Sequence, residues 1–435
     1  MDKIREICVV GLGYVGLPAA IAFYESNFDV LGIDISPEKI NKIKMRENPL
    51  EDESSNLAIP EMSKSWRLTS DFADLESPSG AIIVCVPTPV DEDKNPDISI
   101  IEEAMYKIFD TIVEGSGVTI VVESTVYPGV TRRVTSQAAS KKGLTVGRDF
   151  HIAYCPERVN PGDSEHDVKS VARVIGCDDP EIGQRIVEMY SAITDAECRY
   201  VGSLEVAEAA KMVENVQRDI DIAFTNELAR ILPEMGLDVE EVLEAASTKW
   251  NFHRHRPGIG VGGHCIPVDP YYYIEVAKSF GEEPSMAIAA RSTNSSMPIF
   301  SGDTIMNIAS KNDVDSPTIL ILGYSYKPDV GDNRETPVAP MRERLIQLGA
   351  NVVVWDPYFS DYDLSEIPGS MRSITEVNNF DAVVIGTAHS EILNLDWGDL
   401  LKNCTNGILF DGRRFLDCAE LEDEGWKYFA IGRPY

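Results

Sequence analysis

Cys265 sits at the end of a glycine-rich run, Gly258-Ile259-Gly260-Val261-Gly262-Gly263-His264-Cys265, and Asp269 follows four residues later. Glycine lets a backbone take strained turns and come close to a ligand. A thiol displayed on such a loop is available to react, whereas structural cysteines are usually hidden in cores. If Cys265 is a nucleophile, the protein forms a covalent intermediate. A second constellation is Gly11-Leu12-Gly13-Tyr14-Val15-Gly16, with Asp34 placed 18 residues after Gly16. This is the dinucleotide fingerprint. Gly11 permits the tight turn, Gly13 lets a pyrophosphate approach, and Gly16 lets strand and helix pack closely. Asp34 accepts hydrogen bonds from an adenosine ribose and repels a 2′-phosphate, so the expected cofactor is NAD rather than NADP.

These residues need elements to hold them. Ile7 to Val10 is a continuous apolar run, as expected of a buried parallel strand. Leu17 to Tyr24 reads as a helix, and Val30 to Asp34 as a second strand. Gly80 to Pro87 and Val118 to Glu123 are further strands. Ligands of open parallel sheets bind beyond the carboxyl ends of the strands, which places Thr88 and Thr125 near the nicotinamide end. Either threonine serves equally well as a turn stabiliser.

Ser203 to Met235 reads as one long helix closed by Pro233 and Gly236, and a second helix covers about 238–249. Lys211 and Asn215 are four residues apart and share a face of the long helix. Taken alone, Lys211 reads as a solvated surface lysine. The basic patch Trp250-Asn251-Phe252-His253-Arg254-His255-Arg256 precedes the cysteine loop, and guanidinium groups such as Arg254 and Arg256 suit phosphate oxygens. Asp313 to Pro317 reads as a linker. Thr318 to Gly323 then opens a second parallel sheet that lacks the glycine fingerprint, and Lys327, Arg334 and Arg413 fall after its strand ends, where they can grip a nucleotide.

The expected fold is therefore α/β: two doubly wound Rossmann-like parallel-sheet domains joined by a central helical domain with a long helix. The boundaries expected are 1–200 for NAD binding, 201–312 for the helical dimerisation domain with the cysteine loop, and 313–435 for the last domain. A chain of 435 residues supports two or three such domains. The net charge of −32 opposes nonspecific binding to nucleic acid or anionic membranes. No signal peptide is expected, the sequence has no apolar stretch of about 20 residues, and the eight cysteines lack zinc spacing. A cytoplasmic protein with reduced thiols and no metal is expected, as a homodimer or higher homo-oligomer.

The chain resembles the nucleotide-sugar 6-dehydrogenases, the UDP-glucose/GDP-mannose dehydrogenase family, over nearly its whole length. The resemblance rests on the Gly11 to Gly16 run, Cys85-Val86-Pro87-Thr88-Pro89, Glu123-Ser124-Thr125-Val126 and Cys155-Pro156-Glu157. It continues in Lys211-Met212-Val213-Glu214-Asn215, the loop from Gly262 to Asp269, Gly323 to Asp329, and Arg334-Glu335-Thr336-Pro337.

The resemblance implies oxidation of the C6 alcohol of a UDP- or GDP-sugar to a carboxylate with two NAD. Cys265 would attack the C6 aldehyde to give a thiohemiacetal, because an aldehyde has no C–OH to donate a second hydride. The thioester that follows would be cleaved by water. Lys211 and Asn215 would stabilise the oxyanion, Asp269 would hold or activate water with Thr125, and Glu157 is the family's acid. Tyr14, Val15, Pro87, Thr88 and Thr125 join Gly11, Gly13, Gly16 and Asp34 as cofactor contacts. Glu157, Arg158, Lys211, Asn215, Arg254, Arg256, Gly262, Lys327 and Arg334 are the expected UDP-sugar contacts.

Two positions depart from the UDP-glucose branch: Pro161 stands where that branch carries a second Glu, and Val268 where it carries a lysine. Gly262 to Tyr272 and Thr248-Lys249-Trp250-Asn251-Phe252 look more like the branch acting on UDP-N-acetylhexosamines (GlcNAc, GalNAc or ManNAc), which supplies precursors of surface polysaccharides or glycans. A UDP-glucose or GDP-mannose 6-dehydrogenase, a two-electron dehydrogenase with a structural Cys265, and a non-enzymatic NAD sensor are the other readings.

Overall fold

Apolar runs flanked by glycine turns become the central strands of two separate sheets. A computed structural model describes residues 3–50, 57–75, 80–91, 93–159, 167–376 and 378–435. The chain divides into two compact units, Met1–Glu214 with Tyr271–Glu282, and Asn215–Pro270 with Glu283–Tyr435.

The first unit is built on eight strands among the described residues: β1 (Glu6–Val10), β2 (Asp29–Ile33), β3 (Trp66–Thr69), β4 (Ala81–Val84), β5 (Val118–Val122), β6 (Phe150–Tyr154), β7 (Arg173–Gly176) and β8 (Cys198–Gly202). They lie in the order β3-β2-β1-β4-β5-β6-β7-β8. Neighbours are parallel except β6 and β7, which meet antiparallel at Tyr154 and Gly176. Both faces of the sheet are covered, so β1 is apolar at successive positions rather than alternately. Ile7 and Val9 enter one core and Val10 the other.

The strand order reverses between β1 and β4, the place where open parallel sheets hold ligands. The helix Gly16–Glu25 starts there. Its first turn holds no acid, and Val15 at its N-cap makes no side-chain hydrogen bond. The helix Pro37–Lys44, by contrast, is capped by Ser36, and Pro180–Tyr190 by Asp179. The first helix thus has no side-chain cap, and the positive end of its dipole faces the turn where an anion would lie.

The second unit pairs two long helices with a six-stranded sheet. The helix Leu204–Ile231 runs across the boundary between the units and ends in a 3-10 turn, Leu232–Met235, closed by Gly236 at φ 75°. Helix Ser285–Lys311 packs on its second half through polar groups. Arg291 donates to Asp219 at 2.7 Å, and Asn294 bonds both Asp219 and Asn226, at 2.7 and 2.9 Å. The ion pair is buried, and its neighbours supply the hydrogen bonds that such a pair requires. The chain from 312 to 317 links to the sheet.

That sheet contains β9 (Thr318–Leu322), β10 (Asn351–Trp355), β11 (Ser370–Met371), β12 (Phe380–Ile385), β13 (Cys404–Asp411) and β14 (Lys427–Ala430). Its order is β11-β10-β9-β12-β13-β14, all parallel. Asp356, just after β10, occupies the place Asp34 has after β2. Its carboxylate accepts from Tyr324 N at 2.6 Å, Ser325 N at 3.0 Å and His389 at 3.0 Å. This aspartate fastens the loop after β9, the place where the glycine fingerprint is missing.

Candidate active site

In the first unit the glycine turn has the shape its sequence demands. Gly11 has φ 92°, and a Cβ there would lie 2.6 Å from Cys85 O. A Cβ on Gly16 would lie 1.8 Å from Gly11 O, so strand and helix approach as only glycine allows. A Cβ on Gly13 would meet nothing within 4 Å. Open space at Gly13, beside the helix start after Tyr14 and Val15, fits a pyrophosphate. Asp34 accepts from Leu12 N and Ser36 N, both at 2.9 Å, and pairs with Lys39 at 3.0 Å. Its carboxylate is thereby fixed at the rim of the turn.

β4 and β5 bring their carboxyl ends together. Thr88, following Pro87, donates its hydroxyl to Thr125 O at 2.6 Å, and Tyr272 donates to Thr88 O at 2.6 Å. Both threonines therefore sit where the sheet opens, and the Thr88 hydroxyl also serves the loop itself.

Beyond β6 lies a buried charge cluster. Glu157 accepts from Arg158 N at 2.6 Å, Val159 N at 2.8 Å and Arg173 Nη2 at 3.1 Å. Lys211, only 9% exposed, donates its ammonium to the Glu157 carbonyl at 2.6 Å. It is a buried cation with a defined partner rather than a solvated lysine. Arg158 itself pairs with Glu214. Arg173, Glu123 and Tyr190 complete the cluster. Glu123 stood in a quoted motif, but Arg173 carried no signal in the sequence. Pro161 lies outside the described residues.

The second unit holds the cysteine loop. No disulfide links the eight cysteines, and Cys265 alone among them is exposed. Burial pushes the others up, Cys177 to about 11. The Cys265 carbonyl accepts from Val268 N at 3.1 Å and Asp269 N at 2.8 Å, so the loop turns directly into the helix Asp269–Ser279. The thiol residue thus lies four residues before a helix N-terminus. Asp269 is 3% exposed, and Asn215 donates its amide to its carboxylate. Lys211 and Asn215 lie one turn apart on the long helix.

The glycines of the loop are packing positions. A Cβ on Gly262 would lie 2.7 Å from Glu335 O, and one on Gly263 2.6 Å from the Tyr326 ring. The segment 324–337 therefore clasps the loop. His264 and Arg334 both meet Asp332, at 2.8 and 2.7 Å. Burial pushes the Asp332 carboxyl up, but the hydrogen bonds from Arg334 and His264 outweigh it and hold it below the usual range. Sequence reasoning missed Asp332; an acid between two basic residues that each carried a role was the available hint.

Lys327 is half-buried. Arg413 is half-buried, donates to Gly386 O at 2.8 Å, and leaves Nη2 without a hydrogen-bond partner among the described residues. Arg254 pairs with Glu240, and Arg256 lies over the Phe415 ring. The basic patch therefore has acidic and aromatic partners of its own. Among the described residues no group of His, Cys, Asp and Glu could hold a metal ion. No helix among them is long and apolar enough to cross a membrane.

Comparison with known proteins follows the same order along the chain. Residues 5–194 match the NAD binding domain of the UDP-glucose/GDP-mannose dehydrogenase family, 205–296 its central domain, and 320–418 its UDP binding domain. The chain is 37% identical over 421 residues to a UDP-N-acetyl-D-glucosamine 6-dehydrogenase of Pseudomonas aeruginosa, with 95% of this chain and 98% of that protein covered. A solved UDP-D-ManNAc dehydrogenase of Pyrococcus horikoshii superposes with TM-score 0.85 at 31% identity, covering 98% of this chain and 99% of that one. An NDP-N-acetyl-D-galactosaminuronic acid dehydrogenase of Methanosarcina mazei gives TM-score 0.83 at 29% identity, covering 100% and 96%.

Proposed function

Because the chain belongs to the UDP-glucose/GDP-mannose dehydrogenase family, we propose that it oxidises the C6 alcohol of a UDP-N-acetylhexosamine to the uronic acid, through a thioester on Cys265. The observation that carries the proposal is the Cys265 loop. An exposed thiol lies at the foot of a helix whose first residue, Asp269, is buried and held by Asn215. Relatives named for N-acetylated glucosamine, mannosamine and galactosaminuronic acid support the substrate class.

Gly11 to Gly16 and Asp34 would hold NAD, which would supply the hydride acceptor for each of the two oxidations at the sugar's C6. The thiolate of Cys265 adds to the C6 aldehyde. A C–S bond forms, the carbonyl π pair moves to oxygen, and that oxygen takes a proton to complete the thiohemiacetal. Lys211 and Asn215 stabilise the oxygen as it gains charge. After the second oxidation, water adds to the thioester carbonyl while Asp269 takes its proton, with Thr125 orienting the water. The C–S bond then breaks, Cys265 leaves as thiolate, and the acid is released.

Glu157 holds Lys211 through its carbonyl. Arg254, Arg256, Lys327 and Arg334 supply positive charge for the nucleotide phosphates. Asp269 carries the water step that a second acid at the place of Pro161 would have shared. The product's chemistry suits a precursor of acidic surface polysaccharide, made by a cytoplasmic homo-oligomer.

A panel of UDP- and GDP-sugars, with NADH formation as readout, tests the substrate class. UDP-N-acetylhexosamines are expected to give the highest kcat/KM. Turnover confined to UDP-glucose or GDP-mannose overturns it.

A further inference from the structure

The buried cluster at the ends of β5 to β7 contains more charge than the chemistry above uses. Arg173 is 1% exposed and lies between two carboxylates, Glu157 at 3.1 Å and Glu123 at 3.8 Å. Its Nε and Nη1 have no hydrogen-bond partner among the described residues. Among the described residues, Nη2 is the side-chain nitrogen that makes a hydrogen bond, and that bond goes to Glu157. Glu123 is 2% exposed and faces groups from several elements. These are Tyr190 OH, which donates to it at 2.5 Å, Cys85 Sγ at 3.4 Å, Arg173 from β7, and Glu157 and Cys155 after β6. One buried cation thus serves two buried carboxylates, and a buried charge without its counterpart is costly.

We propose that Arg173 and Glu123 are positioning residues for the dehydrogenation: Arg173 fixes Glu157, and through its carbonyl Lys211, while Glu123 governs how much of the Arg173 charge Glu157 receives. This rests on the roles given above to Glu157 and Lys211. With Glu123 protonated, Arg173 and Glu157 form a neutral pair. With Glu123 ionised, the two carboxylates compete for one guanidinium, and the grip on the Lys211 acceptor loosens. Burial pushes the Glu123 carboxyl up to about 7, against the pull of Arg173, so the exchange falls in the working range of pH.

The test compares the full-length wild type with Glu123→Gln, which keeps an acceptor for Tyr190 but removes the ionisation. NADH formation from a UDP-N-acetylhexosamine is followed across pH 6 to pH 8, and melting temperatures across pH 4 to pH 8. The wild-type to variant ratio of kcat is expected to fall as pH rises, by up to about tenfold, with KM nearly unchanged. The wild-type melting temperature is expected to fall relative to the variant between about 4.5, the unfolded value, and about 7. Arg173→Lys, which cannot match a planar fork, is expected to lower kcat about 10²-fold with KM retained.

A kcat ratio that stays flat while the wild type turns over normally overturns the positioning role, even if the melting temperatures diverge. A wild type that reduces no NAD with any nucleotide sugar overturns the functional reading instead, and this role with it. The two failures are read in different samples.

Discussion

Asn215 donates its side-chain amide to the carboxylate of Asp269, the residue that opens the helix after Cys265. The long helix thereby sets the direction of the one buried acid on the cysteine loop. If Asp269 takes the proton of the hydrolytic water, Asp269→Asn slows thioester cleavage while leaving thiol addition intact. We expect kcat to fall about 10²- to 10⁴-fold. Rapid mixing is expected to show a burst of NADH followed by a slow steady state. No burst and an unchanged kcat would remove Asp269 from the water step.

Lys211 is held by the Glu157 carbonyl at 2.6 Å, with its charge already out of bulk solvent. Lys211→Met removes the cation and keeps the stem. The loss of one oxyanion donor predicts a fall in kcat of about 10²- to 10³-fold. KM for the sugar nucleotide changes little if the interaction is made in the transition state alone. A rise in KM at constant kcat would make Lys211 a binding residue.

Two glycines of the cofactor turn separate packing from binding. A Cβ at Gly13 enters open space, whereas one at Gly16 strikes the Gly11 carbonyl. Gly13→Ala is expected to keep the melting temperature and raise KM for NAD. Gly16→Ala is expected to lower the melting temperature, because backbone must move to admit the methyl group. Calorimetry and NAD titration of both variants check the pair.

Asp332 joins His264 and Arg334, and its carboxyl is held below the usual range. A carboxyl lowered in the folded state contributes stability that is present above its unfolded value, about 3.9, and lost as pH falls below it. Asp332→Asn should therefore flatten the acid limb of the melting curve and change the neutral limb by a constant amount. Melting temperatures from pH 3 to pH 7 measure this. An acid limb as steep as the wild type's would contradict the assignment.

Much of this was legible in the sequence because its signals were local. The Gly11 to Gly16 turn, the apolar runs of β1, β4 and β9, and the span of the long helix each depend on neighbours in the chain. The helix Ser285–Lys311 was less legible, since its buried stripe includes Arg291, Asn294 and Ser301, which read as solvent-facing until Asp219 and Asn226 are placed beside them. Arg173 and Asp332 were invisible for the same reason: each acquires its meaning from partners far along the chain. The antiparallel pairing of β6 with β7 likewise had no local mark.

The central claim is that Cys265 keeps the aldehyde bound through a second oxidation. The most direct measurement is the yield of NADH from a limiting amount of UDP-N-acetylhexosamine, with the product identified by mass spectrometry. Two NADH per sugar and a C6 carboxylate are predicted, both abolished by Cys265→Ala. One NADH per sugar with a released aldehyde, or acid formation by Cys265→Ala at the wild-type rate, would contradict it.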